Sequence, residues 1–100
     1  MVTRDEDWQD DDAIALFDAF TRLDTADQAA DFLRDLCTRR ELTEMASRWR
    51  IVRLLDTGLS YRDISAETGV STATVTRVAQ WLHHGRGGYA SMIERTRETS

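Results

Sequence analysis

Few side chains in this 100-residue chain are suited to catalysis or to metal binding. His83 and His84 are neighbours, so on a helix they point about 100° apart and cannot hold one metal ion from a single face. Cys37 is the single cysteine, which excludes an internal disulfide and leaves a thiolate site short of ligands. No histidine is placed to activate a serine or threonine hydroxyl. We therefore expect no enzyme, no metal site and no cofactor.

Contact with a polyanion is the chemistry that the sequence does offer. No aspartate or glutamate occurs from Thr68 through Ser91. Within this stretch, residues 71–77 (STATVTR) combine small hydroxyl groups, a methyl group and one guanidinium group. Such side chains fit a helix that enters the major groove of DNA, where acidic or bulky side chains would obstruct it. The candidate DNA-contacting residues are Arg62, Ser71, Thr72, Ala73, Thr76 and Arg77.

Charge divides the chain into two parts of opposite sign. Residues 1–36 hold three arginines and eleven acids, a net charge of −8, whereas residues 37–100 have a net charge of +3. Only the second part could face a polyanion. Residues 1–12 are acidic and lack apolar periodicity, and we predict a flexible N-terminal arm. This arm is either a solubilising tail or a competitor of DNA for the basic face.

The rest of the chain, residues 13–100, is predicted to form a single all-α domain of six short helices. Apolar residues recur there with the spacing of amphipathic helices, and nowhere does the alternation typical of a strand persist. The predicted helices cover residues 13–23, 26–37, 38 to 56 or 57, 60–68 and 71–84, with a final short helix marked by Tyr89, Met92 and Ile93. Their predicted N-caps are one of Asp10, Asp11 and Asp12, then Thr25, Thr38, Ser60 and Ser71.

Residues 60–84 have the spacing of a helix-turn-helix. Gly69 stands at the turn, where a positive φ favours glycine, and Ser65 is small where the two helices approach each other. The residues expected to be buried between the helices are Ile64, Val70, Val75 and Val78. The pattern favours a DNA-reading motif, and a helix pair used only for packing is the alternative.

The segment from about Leu16 to Arg95 resembles the bacterial Trp-repressor superfamily, most closely its small Trp-repressor-like branch. The resemblance is carried by RWRIVRLLDTG and SYRDISAETGVSTATVTR, which cover the long helix and the helix-turn-helix. It implies an intertwined homodimer whose two helix pairs project towards a palindromic operator. Intertwining would also pool two marginal cores into one, and a monomeric six-helix bundle is the alternative.

The resemblance also implies roles within the candidate DNA interface. By similarity, Arg62 makes a direct base contact and Thr74 touches a phosphate group. Ser65 and His83 stand where the family has lysines, so we expect weaker phosphate binding. The residues assigned to the floor of the groove, where they would contact the DNA partly through water molecules, are Thr72, Ala73 and Thr76.

A tryptophan pocket is implied by the resemblance as well, but this chain departs from it. Thr38, Arg48 and Arg77 match residues that hold tryptophan in the family. Val78 adds an isopropyl group where the family has glycine, and Trp81 replaces a serine that meets the ammonium group. We therefore hypothesise that L-tryptophan is not the effector and that Trp81 covers or fills this degenerate pocket.

Together these features predict a cytoplasmic, homodimeric, sequence-specific DNA-binding transcriptional regulator that acts as a repressor on double-stranded DNA. No apolar stretch approaches the roughly 18 to 20 residues needed to span a bilayer, and no membrane contact is expected. Two alternatives stay open. One is a regulator gated by an unknown small-molecule effector, and the other is a helical protein–protein interaction module that does not bind DNA.

Overall fold

The computed structural model describes residues 7–98. Its six helices are α1 (Asp11–Phe20), α2 (Ala26–Leu36), α3 (Arg39–Asp56), α4 (Tyr61–Thr68), α5 (Thr72–His84) and α6 (Gly88–Glu98). The described residues contain no strand, so the predicted all-α fold of six helices is confirmed. None of the helices in this range is long and apolar enough to cross a membrane. The first half of the predicted N-terminal arm, residues 1–6, lies outside the described residues.

Polar side chains cap the helices where the sequence predicts their starts. The Asp10 carboxylate accepts a hydrogen bond from the N–H of Ala13 at 2.8 Å, so α1 begins at Asp11, slightly before its predicted start. Asp11 and Asp12 then occupy the first turn, where the helix dipole favours negative charge. Hydroxyl groups cap α2, α4 and α5 in the same way, and they belong to Thr25, Ser60 and Ser71.

The first helix ends at Phe20, although its apolar spacing predicts a helix as far as Leu23. The backbone N–H groups of Thr21, Arg22 and Leu23 each donate to a carbonyl oxygen three residues earlier. This pattern tightens the chain into a turn and stops the α-helical hydrogen bonding. Leu23 therefore belongs to the connection between α1 and α2.

The chain forms two compact units, Met1–Leu42 and Thr43–Ser100. The first unit contains α1, α2 and the first turn of α3. No residue of α1 or α2 is buried, although the rings of Phe20 and Phe32 pack edge to face with centroids 5.5 Å apart. Leu36, at the end of α2, keeps 48% of its surface exposed. These two helices thus present apolar side chains that their own unit does not bury.

The second unit has a buried aliphatic core to which α3, α4, α5 and α6 all contribute. The rings of Trp49 and Tyr89 pack against this core with their centroids 6.4 Å apart. Arg97 of α6 is hydrogen-bonded to Asp56 at the end of α3, and this bond and the Asp56 charge raise the pKa of Arg97. The core residues are Ile51, Val52, Ile64, Val75, Val78 and Ile93. The helix pair α4–α5 therefore shares one buried core with α3 and α6.

The joint between α5 and α6 leaves no room for a side chain at Gly85. A Cβ atom there would lie 2.4 Å from the carbonyl oxygen of Trp81, so the backbone would have to move. We expect Gly85→Ala to lower the free energy of unfolding by about 1–3 kcal/mol. Gly88→Ala is the matched control, because an added Cβ meets nothing within 4 Å, and it should be neutral or stabilising by up to about 1 kcal/mol. Urea denaturation measures both, and equal stability of the two variants would contradict this assignment.

Candidate nucleic-acid interface

Local contacts fix the turn between α4 and α5. Gly69 adopts the left-handed conformation with a φ of 79°, which glycine tolerates without strain. The hydroxyl group of Ser65 donates to the carbonyl oxygen of Val70 at 2.5 Å. The N–H of Val70 in turn donates to the Thr68 hydroxyl oxygen at 3.3 Å. The helix-turn-helix predicted for residues 60–84 is confirmed.

One side of this helix pair faces the core of the second unit. Ile64 and Val75 are fully buried, and Val78 is nearly so. Val70, in the turn, is half-buried and packs against the same core. These are the four residues that the sequence assigns to the contact between the helices. Because α5 is amphipathic, its opposite side is left to the solvent.

The outer side of α5 carries the side chains that the sequence predicts to contact DNA. The Thr76 hydroxyl donates to the Thr72 carbonyl oxygen at 2.9 Å, which holds it against its own helix. Ser71 is exposed, whereas Thr74 is half-buried and donates its N–H to the Ser71 hydroxyl oxygen at 3.1 Å. We define the α5 face by its exposed residues, Thr72, Ala73, Thr76 and Arg77.

Two arginines of the candidate interface are available for contact with an anion. Arg62, in the first turn of α4, and Arg77, on the α5 face, are both exposed. Neither forms a hydrogen bond or an ion pair within residues 7–98. Glu67, an acid of the same helix as Arg62, is instead paired with α3, since its carboxylate oxygen lies 3.9 Å from a guanidinium nitrogen of Arg50. The guanidinium groups of Arg62 and Arg77 could therefore meet phosphate groups or base edges without first breaking an ion pair.

The outer side of α5 continues beyond the residues that the sequence-based prediction named. Gln80 and His84 follow Ala73 by seven and eleven residues, about two and three helical turns, and both are exposed. Gln80 forms no hydrogen bond within the described part of the chain. The same helical spacing, extended past Arg77, could have identified both residues from the sequence.

Four of the five residues of the predicted effector pocket line one groove in the second unit. This groove has a volume of about 1120 Å³ and is bordered by Arg48, Arg77, Val78 and Trp81. Val78 is buried in its wall, but Trp81 remains 63% exposed. The indole thus borders the groove and is not buried in it. Binding of a small-molecule effector in this groove stays a prediction.

Thr38, the fifth predicted pocket residue, belongs to the first unit, whereas the groove lies within the second unit. Its N–H donates to the Glu41 carboxylate at 2.8 Å, and its hydroxyl oxygen accepts from the N–H of Glu41 at 3.1 Å. The hydrogen bonds from Thr38 lower the pKa of Glu41. This reciprocal pair is the capping box that the sequence predicts at the start of α3.

Comparison with known proteins gives matches over most of the chain. The family described as Trp repressor protein matches residues 11–97. A curated relative, the uncharacterized protein YerC of Bacillus subtilis, is 37% identical over 84 residues, which are 84% of this chain and 81% of that protein.

Two solved structures resemble the fold closely. A TrpR-like protein from Eubacterium eligens is 35% identical with a TM-score of 0.82, and the match covers 89% of this chain and 92% of that one. A proposed Trp repressor from Staphylococcus aureus is 29% identical with a TM-score of 0.84, and the match covers 96% of each chain.

Proposed function

Because the chain belongs to the Trp repressor protein family, we propose that it is a cytoplasmic, sequence-specific DNA-binding regulator of transcription that represses by occupying an operator. The family is one of DNA-binding regulators and not of enzymes. One observation carries the proposal for this chain: the α5 face is exposed and lies in a stretch without acidic side chains. Such a surface can approach the edges of bases without repelling the flanking phosphate groups.

The proposed contacts divide into base readout and phosphate contact. Arg62 makes the direct base contact, since an unpaired guanidinium group can bond to guanine with two hydrogen bonds. Ser71 and Thr74, at the N-terminus of α5, contact phosphate, where the positive end of the helix dipole adds to the attraction. Arg77 contributes charge to the same surface. The residues proposed at the floor of the groove are Thr72, Ala73 and Thr76.

A homodimer is the proposed binding unit. In the first unit, the apolar side chains of α1 and α2 remain unburied, and Leu36 is half exposed. A second copy of the chain that covers these helices would remove their apolar surface from water. Two-fold symmetry would then present two α5 faces, which fit a palindromic site with half-sites about one helical turn of DNA apart.

Selection of DNA sites from a random pool with the purified protein tests the function. We expect a palindromic site bound by two chains, with a logarithmic salt dependence of about −4 or steeper, as four or more phosphate contacts require. Val78 stands where the family has glycine, and Trp81 stands where it has the serine that meets the ammonium group. Because both residues border the groove, 1 mM L-tryptophan should leave the affinity for this DNA site unchanged. A protein indifferent to duplex DNA in this assay would instead be an interaction module, and the proposal would fail.

A further inference from the structure

His84 occupies the last turn of α5 on the same side as the α5 face. With 3.6 residues per turn, a position eleven residues after Ala73 and seven after Arg77 returns to the same side of the helix. His84 is exposed there. Its neighbour His83 is exposed as well and follows Thr76 by seven residues, so it lies on the same outer side of α5, about 100° from His84 around the helix axis. The two imidazole rings thus lie along different edges of the outer side of α5.

We propose that His84 is a further DNA-contacting residue, which binds a phosphate group at the edge of the site and strengthens DNA binding as the pH falls. The proposal rests on the proposed function, since it needs a DNA duplex against the α5 face. The DNA backbone runs along both edges of the major groove, so a residue three turns from Ala73 would reach phosphate groups and not base edges.

The surroundings of His84 leave its imidazole ring available for such a contact. It forms no hydrogen bond or ion pair within residues 7–98, and its one ring neighbour is His83, with centroids 6.3 Å apart. Helices α4 and α6 pack against α5, and α3 shares the buried core with it. The described charged side chains of these helices in the second unit are Glu44, Arg48, Arg50, Arg53, Asp56, Arg62, Asp63, Glu67, Glu94, Arg95 and Arg97.

The acids among these groups are mostly engaged with arginines. A carboxylate oxygen of Glu67 lies 3.9 Å from a guanidinium nitrogen of Arg50, and one of Glu94 lies 3.1 Å from a guanidinium nitrogen of Arg97. Asp63 is exposed in the first turn of α4, where its N–H is bonded to the capping hydroxyl of Ser60. No carboxylate of the described residues lies within ion-pair distance of His84. A DNA phosphate would therefore be the anion that a protonated His84 meets.

The sign of the expected pH dependence follows from the charges. Histidine is the side chain that gains a positive charge between pH 8 and pH 5. A phosphate group in the complex favours the protonated form, so each contact takes up a proton on binding and the affinity rises as the pH falls. For an exposed ion pair the gain is about two- to fivefold for each copy of the contact.

Four proteins test the inference: the wild type, His83→Gln, and His83→Gln combined with either His84→Gln or His84→Lys. The shared His83→Gln change removes any contribution of the second imidazole ring. The affinities of the four proteins for the selected operator are compared at pH 5.5 and pH 7.5 at constant ionic strength. We expect the wild type and His83→Gln to bind more tightly at pH 5.5. The variant His83→Gln/His84→Gln should lose this gain, while His83→Gln/His84→Lys should bind tightly at both pH values because its charge is permanent.

Two results would overturn the inference while the proposed function stands: a pH dependence in His83→Gln/His84→Gln as large as that in His83→Gln, or a pH dependence that is lost in His83→Gln alone. A wild-type protein whose affinity for the operator does not change with pH would do the same. If the wild type selects no DNA site at all, the proposed function itself fails.

Discussion

Replacing Arg62 with alanine is expected to weaken binding to the selected operator by about 1–3 kcal/mol, roughly a 5- to 150-fold loss of affinity. The side chain is exposed in the first turn of α4, where it faces no acidic partner within the described residues. Its loss should therefore leave the fold intact and remove a base contact. Repeating the selection with Arg62→Ala should show that one position of each half-site loses its preferred base.

Arg95→Ala is the matched control for this experiment. Arg95 is an exposed arginine of α6, outside the helix pair, and its only described partner is the Ser91 hydroxyl at 3.5 Å. The control removes the same charge, so it should change the affinity slightly and the base preference not at all. If Arg62→Ala matches this control in both affinity and base preference, Arg62 makes no base contact.

Leu36→Glu should convert the proposed dimer into a monomer at micromolar concentration. Leu36 ends α2 with nearly half of its surface exposed, so a glutamate there leaves the packing within one chain almost unchanged. In the dimer, the same carboxylate would be buried against apolar side chains of the second copy and would lose its hydration. We expect a cost of about 2–5 kcal/mol for each chain, with a loss of operator binding. Sedimentation equilibrium and the operator assay measure the two effects.

Ala30→Glu places an equal charge at an exposed position of α2 about 120° around the helix from Leu36. This variant should remain a dimer and bind the operator as the wild type does. A Leu36→Glu protein that stays dimeric would show that α2 does not lie in the interface. A wild type that is monomeric would contradict the homodimer altogether.

Local chemistry explains which parts of the fold the sequence predicts well. The capping residues Thr25, Ser60 and Ser71 act on backbone groups within three residues, so their spacing alone locates the starts of α2, α4 and α5. The end of α1 is harder, because Leu23 keeps the apolar spacing of the helix while the backbone has already turned. Side-chain periodicity does not record that change in hydrogen bonding.

Long-range packing explains what the sequence predicts less well at the candidate site. The periodicity of α5 is sufficient to separate the buried Val75 and Val78 from the α5 face. The exposure of Trp81 depends on how α3 and α6 border the groove, which no local pattern encodes.

The turn at Gly69 has a consequence for protein engineering. Its geometry depends on one glycine and on the hydrogen bond from Ser65 to Val70, none of which belongs to the α5 face. The angle between the two helices is therefore independent of the side chains that would read the bases. Libraries randomised at Thr72, Ala73 and Thr76 could thus redirect the proposed DNA binding to new sequences while the turn is left unchanged.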